Sequence, residues 1–239
     1  GPYKDRPGFD QVAQGMSGLM SITGEPGAGP MRVGIPLADL SAGLFAAQGI
    51  LLALYERMSS GKGQWVQTSL LQSQIFMLDF QAARYAMNGE IPEQAGNNHP
   101  TSIPTGVFKT KDGFINIAAS GEVIWQKLSI ALGHAEWIAA PEFSTAQARS
   151  QNRSKLGDKI NECTQTKTTS HWIDILNDKG VPCGPIYTID EMFADPQIRH
   201  LQISQPVTNS LSKEIPVLSQ PLSLSRTPSK LDKAAPLIG

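Results

Sequence analysis

The sequence predicts an α/β fold carrying a smaller α+β region, and three observations support that reading. Apolar segments of helical character flank one period-two run, Gly63-Gln64-Trp65-Val66-Gln67-Thr68-Ser69-Leu70, and helices alternating with a strand indicate α/β layering. A second stretch, from about Gly106 onward, opens with two β-like runs around a Lys111-Asp112-Gly113 turn and continues as amphipathic helices. The composition, 40% hydrophobic and 17% charged over 239 residues, is that of a chain able to bury a core and argues against disorder.

The elements follow in order. Val12 to Met20 is small and apolar enough for a tightly packed helix, and the glycines and prolines from Gly24 to Pro36 then impose an ordered loop. An apolar helix follows Asp39, from Leu40 to Arg57, and Ser59 to Gly63 ends it. Its longest apolar stretch, Ala42 to Leu54, is interrupted by Gln48 and Gly49 and falls short of the roughly 20 residues a bilayer requires, so a buried helix is expected. After the strand, Leu71 to Met87 resumes a helical pattern, and Pro92 to Pro104 reads as a loop.

Beyond the hairpin, Val123 to Leu132, Ser150 to Cys163 and Ser170 to Lys179 are expected to be amphipathic helices, the last ended by Gly180. Ile203 to Thr227 alternates β-like pieces with Pro and Ser, and Pro228 to Pro236 forms a tail. The expected division is 1–95 as part of a large α/β domain, 96–200 as a small α+β domain and 201–239 as a linker returning to the large one.

Twenty Lys plus Arg against 21 Asp plus Glu leave a net charge of -1, so no overall field favours nucleic acid or anionic lipid, and an anionic ligand needs a local site. Two cysteines, Cys163 and Cys183, show neither CxxC nor zinc spacing, which fits a reducing cytoplasm and no structural metal. No GxGxxG element suggests a nicotinamide or flavin. Gly61-Lys62-Gly63 lacks the phosphate-loop spacing and reads as a turn. Cys183, in Val181-Pro182-Cys183-Gly184-Pro185, reads as an inert residue in a tight buried corner, and Trp65, Trp125, Trp137 and Trp172 are assigned to packing.

Asp39 stands at the end of the Gly/Pro loop, directly before the apolar helix, where a helix start favours an ionised carboxylate. Taken alone it reads as an N-cap, a position at which Asp is among the preferred residues. Asp10 can cap the helix that follows it, and His99, in His-Pro, can be read as an acid or base but reads first as a residue that fixes a turn.

Gly1 to Asp10, Ser17 to Gly24, Pro36-Leu37-Ala38-Asp39 and Thr68-Ser69-Leu70-Leu71 occur in an order that resembles the family III CoA-transferases, the CaiB/BaiF group. Arg57, Gly61 to Gln64, Gly96-Asn97-Asn98-His99-Pro100, Lys109 to Gly113, Val181 to Ile186, Asp195-Pro196-Gln197 and Ala235 to Gly239 extend the resemblance along the whole chain.

That resemblance implies the family III fold, an interlocked homodimer for the full-length protein, and an internal fragment lacking the family's N-terminal part. It makes Asp39 the nucleophile that forms a mixed anhydride with the acyl group of a CoA thioester, so that CoA passes to a carboxylic acid acceptor. Acyl-CoA and the acid are then substrates, with no separate cofactor. The resemblance places Asp10, Lys4, Arg6, Asn97 and His99 at the substrate, the two cations near CoA phosphate. Related transferases have a mobile loop over the active site at Gly96 to Gly106, polyglycine in some, where this chain reads Asn97-Asn98-His99-Pro100-Thr101. Two rival readings are an α-methylacyl-CoA racemase, whose Gly-His-Asp stretch is here Gly8-Phe9-Asp10 with no proton to exchange at Phe9, and a non-catalytic binding or assembly module.

Overall fold

The computed structural model describes residues 1–208, 213–231 and 234. It mixes helix and sheet, as expected, and divides into two compact units, Gly1–Gly184 and Pro185–Gly239.

In the first unit, the expected helix at Val12 to Met20 is two helices, α1 (Asp10–Met16) and α2 (Leu19–Ile22), parted at Gly18, whose φ of 90° only glycine adopts without strain. After the Gly/Pro loop comes α3 (Leu37–Ser60), 24 residues long and closed by Gly61 in the left-handed conformation, with Lys62 and Gly63 following outside helix, strand and turn. Helix α3 starts before Asp39, not after it, so Asp39 occupies its first turn. The expected strand at Gly63 to Leu70 is not one: among the described residues 61–69 pair with no strand, and β-forming side chains cannot make a strand without a ladder to join. Trp65, 88% exposed, therefore has no packing role within the described residues. The helix expected over Leu71 to Met87 divides into α4 (Leu70–Phe76) and α5 (Phe80–Asn88) at Asp79, where φ turns to 50°. Ser69 caps α4 by accepting the Gln72 N–H at 3.2 Å.

The expectation of a buried α3 is also corrected. Leu44, Leu51, Leu52, Tyr55 and Met58 are all more than 60% exposed, and by length and composition alone the helix could cross a membrane. One flank is nevertheless protein-covered. Phe45 meets Phe76 of α4 edge to face with ring centroids 5.2 Å apart, and a Cβ on Gly49 would stand 2.8 Å from Val66.

The hairpin forms as the sequence predicts: β1 (Thr105–Lys109) runs antiparallel to β2 (Phe114–Ala118), with Val107 opposite Asn116. A short third strand, β3 (Cys183–Pro185), lies on the far side of β2. Helices α6 (Glu122–Ala131), α7 (Ala146–Gln151), α8 (Arg153–Thr164) and α9 (Thr169–Asp178) cover it, the helix expected over 150–163 being interrupted at Asn152. Ile115, Ile117, Trp125, Leu128, Phe143, Leu156, Ile160 and Leu176 are fully inaccessible in the resulting core. Trp137 and Trp172 are 5% and 6% exposed, in accord with their packing assignment. Arg149, 1% exposed, lies 5.1 Å over the Trp125 ring and donates to the Phe143 carbonyl at 2.8 Å and to Glu122 at 3.2 Å.

The second unit holds α10 (Ile189–Ala194), α11 (Pro196–His200) and an antiparallel pair, β4 (Ser204–Thr208) with β5 (Glu214–Leu218), which places strands within the β-like stretch 203–227. Thr188 and Glu191 form a reciprocal capping box on α10. Asp195 caps α11 from the position before its N1 proline. Part of the expected tail, and the Ala235 to Gly239 motif, lie outside the described residues.

Candidate active site

Helix α1 brings Asp10 to the start of α3. Asp10 is the first residue of α1, and Phe9 is its N-cap without a side-chain bond, so Asp10 does not cap its own helix. Its Oδ1 instead accepts the backbone N–H of Ala38 at 2.9 Å, satisfying a donor in the first turn of α3 from 28 residues away. Its Oδ2 accepts from the Gln14 amide at 2.8 Å and lies 3.5 Å from the Arg32 guanidinium. The residue is 7% exposed, so a charge taken out of water is matched by three partners.

Gln14, fully buried one turn along α1, joins this carboxylate to the loop that delivers α3. Its Nε2 also donates to the Ile35 carbonyl at 3.1 Å, and its Oε1 accepts the Val33 N–H at 3.1 Å. Sequence reasoning passed over this residue. The signal available was its spacing, since i and i+4 positions share a helix face and put Gln14 beside Asp10.

Asp39 follows Ala38 directly. Its carboxylate is exposed and, among the described residues, has no hydrogen bond or ion pair. Because Asp10 provides the cap, Asp39 is spared that duty and stands in the first turn of a 24-residue helix, where the partial positive charge of the macrodipole favours an anion.

The remaining expected site residues are placed less closely. Lys4 and Arg6 are exposed in the opening turn, Arg6 lying 3.8 Å over the Tyr3 ring, and no described contact joins either to Asp39. Asn97 is exposed in the loop before β1, its carbonyl accepting the Val107 N–H at 3.2 Å. His99 Nδ1 accepts the backbone N–H of Ser102 at 2.9 Å and of Thr101 at 3.2 Å, and its ring stacks on Phe80. That nitrogen is thereby committed to holding a turn. The two loops are also tied: the Gln94 amide donates to the carbonyls of Thr23 and Gly29 at 2.6 and 2.7 Å, and the Gly96 N–H donates to the Gly24 carbonyl at 3.0 Å. Gly96 has a φ of 57° and lies so near the Glu25 carboxylate that a Cβ would come within 2.5 Å of it.

Burial raises both thiols above their ordinary range, which disfavours the nucleophilic thiolate at Cys163 and Cys183. Cys183 is half-buried, less enclosed than the expected tight corner. No group of three or more metal-ligating side chains occurs among the described residues.

The family model for CoA-transferase family III matches residues 1–239. A succinyl-CoA–D-citramalate CoA-transferase of Chloroflexus aurantiacus and a succinate–glutarate CoA-transferase of Agrobacterium fabrum are each 34% identical, over all of this chain and 60% of their own. A human succinyl-CoA:glutarate CoA-transferase is 33% identical over 89% of this chain and 49% of its own length. A CaiB/BaiF family protein of Brucella suis superimposes with a TM-score of 0.83 at 34% identity, over 100% of this chain and 62% of that one. A Mycobacterium tuberculosis protein shares the fold at a TM-score of 0.86 and 22% identity, over 98% of this chain and 63% of that one. The chain thus spans about three fifths of the length of its first relatives. It belongs to CoA-transferase family III.

Proposed function

We propose that the protein containing this chain moves CoA from an acyl-CoA donor to a carboxylic acid acceptor, with Asp39 as the covalent nucleophile. The observation that carries this reading is the division of labour between two carboxylates: Asp10 is buried and caps α3, while Asp39, one residue beyond the capped amide, is exposed and unpaired among the described residues. A carboxylate with no structural duty, set in a helix start, is available for attack on a thioester carbonyl.

An Asp39 oxygen bonds to the donor acyl carbon as the C–S bond breaks, giving a mixed anhydride and the CoA thiolate. The acceptor carboxylate then attacks the aspartyl carbonyl and the donor acid leaves. The retained thiolate attacks the acceptor's acyl carbon, forming acceptor-CoA and restoring Asp39. Each step exchanges one acyl bond for another, so no metal or redox group is required. Names of relatives that pair succinate with D-citramalate or glutarate make dicarboxylic acids the first acceptors to test. Lys4 and Arg6 are suited to CoA phosphate, and Asn97 and His99, in the loop tied to Gly24, to the acyl substrate. In the whole protein, residues 1–95 belong to a large α/β domain, 96–200 form the small one and 201–239 return to the large one. A cytoplasmic homodimer, in which further protein covers the apolar face of α3, completes the reading.

Full-length enzyme incubated with acyl-CoAs and trapped with hydroxylamine should carry a hydroxamate on Asp39 by peptide mass spectrometry, and Asp39→Ala should carry none. An unlabelled Asp39, together with exchange of the α-proton of a branched acyl-CoA, would replace the transferase by a racemase. Absence of both activities and of CoA binding would leave an assembly module.

A further inference from the structure

We infer that Gln14 is a positioning residue for the Asp39 nucleophile, acting through Asp10 and the loop that enters α3; the inference rests on the proposed role of Asp39. One fully buried amide makes three bonds: to Asp10 Oδ2 at 2.8 Å, to the Ile35 carbonyl at 3.1 Å and from the Val33 N–H at 3.1 Å. Both its donor and its acceptor are used, so it fits only one way round.

The bonds act at two places on the same short run of chain. Val33 and Ile35 precede α3, and Asp10, oriented by the amide, holds Ala38 inside its first turn at 2.9 Å. Gln14 therefore controls the backbone on the near side of Asp39 both directly and through the cap. The Ile35 carbonyl also accepts the Leu37 N–H of α3 at 2.9 Å, and among the described residues the hydrogen bonds that reach the Ile35 and Ala38 backbone from outside the loop and α3 come from α1. Attack on a thioester demands close placement, and a shift of about 1 Å in a reacting group can lower the rate roughly a hundredfold.

The groups around the Asp10 carboxylate define a test that separates positioning from general support of the fold. They are Gln14 on α1, the Arg32 guanidinium 3.5 Å away on the loop, and the Ala38 amide of α3. Gln14→Glu keeps size and shape but sets a second carboxyl at hydrogen-bond distance from Asp10. Two carboxylates that close share one proton, with one affinity strongly raised. While that proton is held, its O–H replaces the lost N–H donor to Asp10, although a carboxyl has one donor where the amide has two and the Ile35 carbonyl loses its Gln14 bond. Once it leaves, two anions face each other and the cap is pulled off Ala38.

The experiment measures steady-state transfer and hydroxylamine-trapped adduct in the full-length enzyme for wild type, Gln14→Glu, Gln14→Ala and Asp39→Ala. Gln14→Glu should recover at about pH 5.5 to within a few-fold of wild-type kcat, short of it because the Ile35 bond is missing, and fall roughly a further tenfold or more by about pH 8, with KM for acyl-CoA changed less than about threefold. Gln14→Ala should be slow at every pH, and its loss should again lie in kcat. A flat ratio of Gln14→Glu to wild type across that range, or a loss confined to KM, overturns the positioning role. If Gln14→Ala does not fold, the Gln14→Glu profile decides alone. Should Asp39→Ala remain active, the reading of the nucleophile fails instead, whatever the Gln14 variants do.

Discussion

The region before residue 95 and the region from Thr105 to Val181 solve opposite problems with the same chain. In the second, the fully buried large side chains are mostly apolar and form one cluster drawn from the sheet and its covering helices. In the first, the buried residues are Asp10, Gln14, Ser17, Ser41, Ser73 and Gln74, with only Ala13 and Ala38 as apolar companions, while large apolar side chains face outward along α3. One region is closed by burial of its own surface. The other is organised by hydrogen bonds around the Asp10 carboxylate and leaves large apolar side chains of α3 exposed, in a chain that spans about three fifths of the length of its first relatives.

Several substitutions would break or sharpen this contrast. The largest effect is expected for Leu128→Ala, which empties a fully buried position and should cost about 2–5 kcal/mol in denaturant unfolding. Leu51→Ala, the same chemistry at a 67% exposed position, should stay within about 0.5 kcal/mol in this chain. Equal costs would mean that α3 is buried after all. Next, Arg149→Ala should cost about 1–3 kcal/mol, because the Phe143 carbonyl loses its buried donor, whereas Glu122→Gln, which keeps an acceptor at a half-exposed end of the pair, should cost well under about 1 kcal/mol.

Gln74 supplies a finer test in the polar region. It is fully buried, and neither its Nε2 nor its Oε1 has a partner among the described residues. Gln74→Leu should therefore raise the stability of this chain by about 1 kcal/mol, and a loss instead would reveal a bond the amide makes. The smallest effect concerns Asp112, which accepts the Thr169 N–H at 2.8 Å and its hydroxyl at 3.0 Å, tying the hairpin turn to the start of α9. The Thr169 amide holds this carboxyl below its ordinary range. A lowered folded-state value means stabilisation present above the unfolded carboxyl pKa and lost as pH falls through the folded one. Thermal melts of Asp112→Asn and wild type should accordingly differ at neutral pH and converge in acid.

Much of the small region was legible in advance, since Lys111-Asp112-Gly113 lies between two β-forming runs and Gly180 closes an amphipathic helix, all local signals. The misreadings cluster before residue 95. Trp65 and Val66 have strand character, yet a strand requires a partner ladder and no periodicity reports whether one exists. Asp39 resembled an N-cap because the composition before a helix does not disclose where the first turn begins, or that a carboxylate 29 residues earlier would take over the cap.

The sequence by itself determined the family, through many short motifs in one order, and with it the identity of the candidate nucleophile. It also determined the hairpin and the helix stops, because turn chemistry and glycine conformation act over a few residues. Tertiary structure decided which carboxylate caps and which is left exposed, and it brought out Gln14. Those assignments depend on hydrogen bonds between α1 and residues about 20 to 30 positions away, a separation over which side-chain type carries no directional information until the chain has folded.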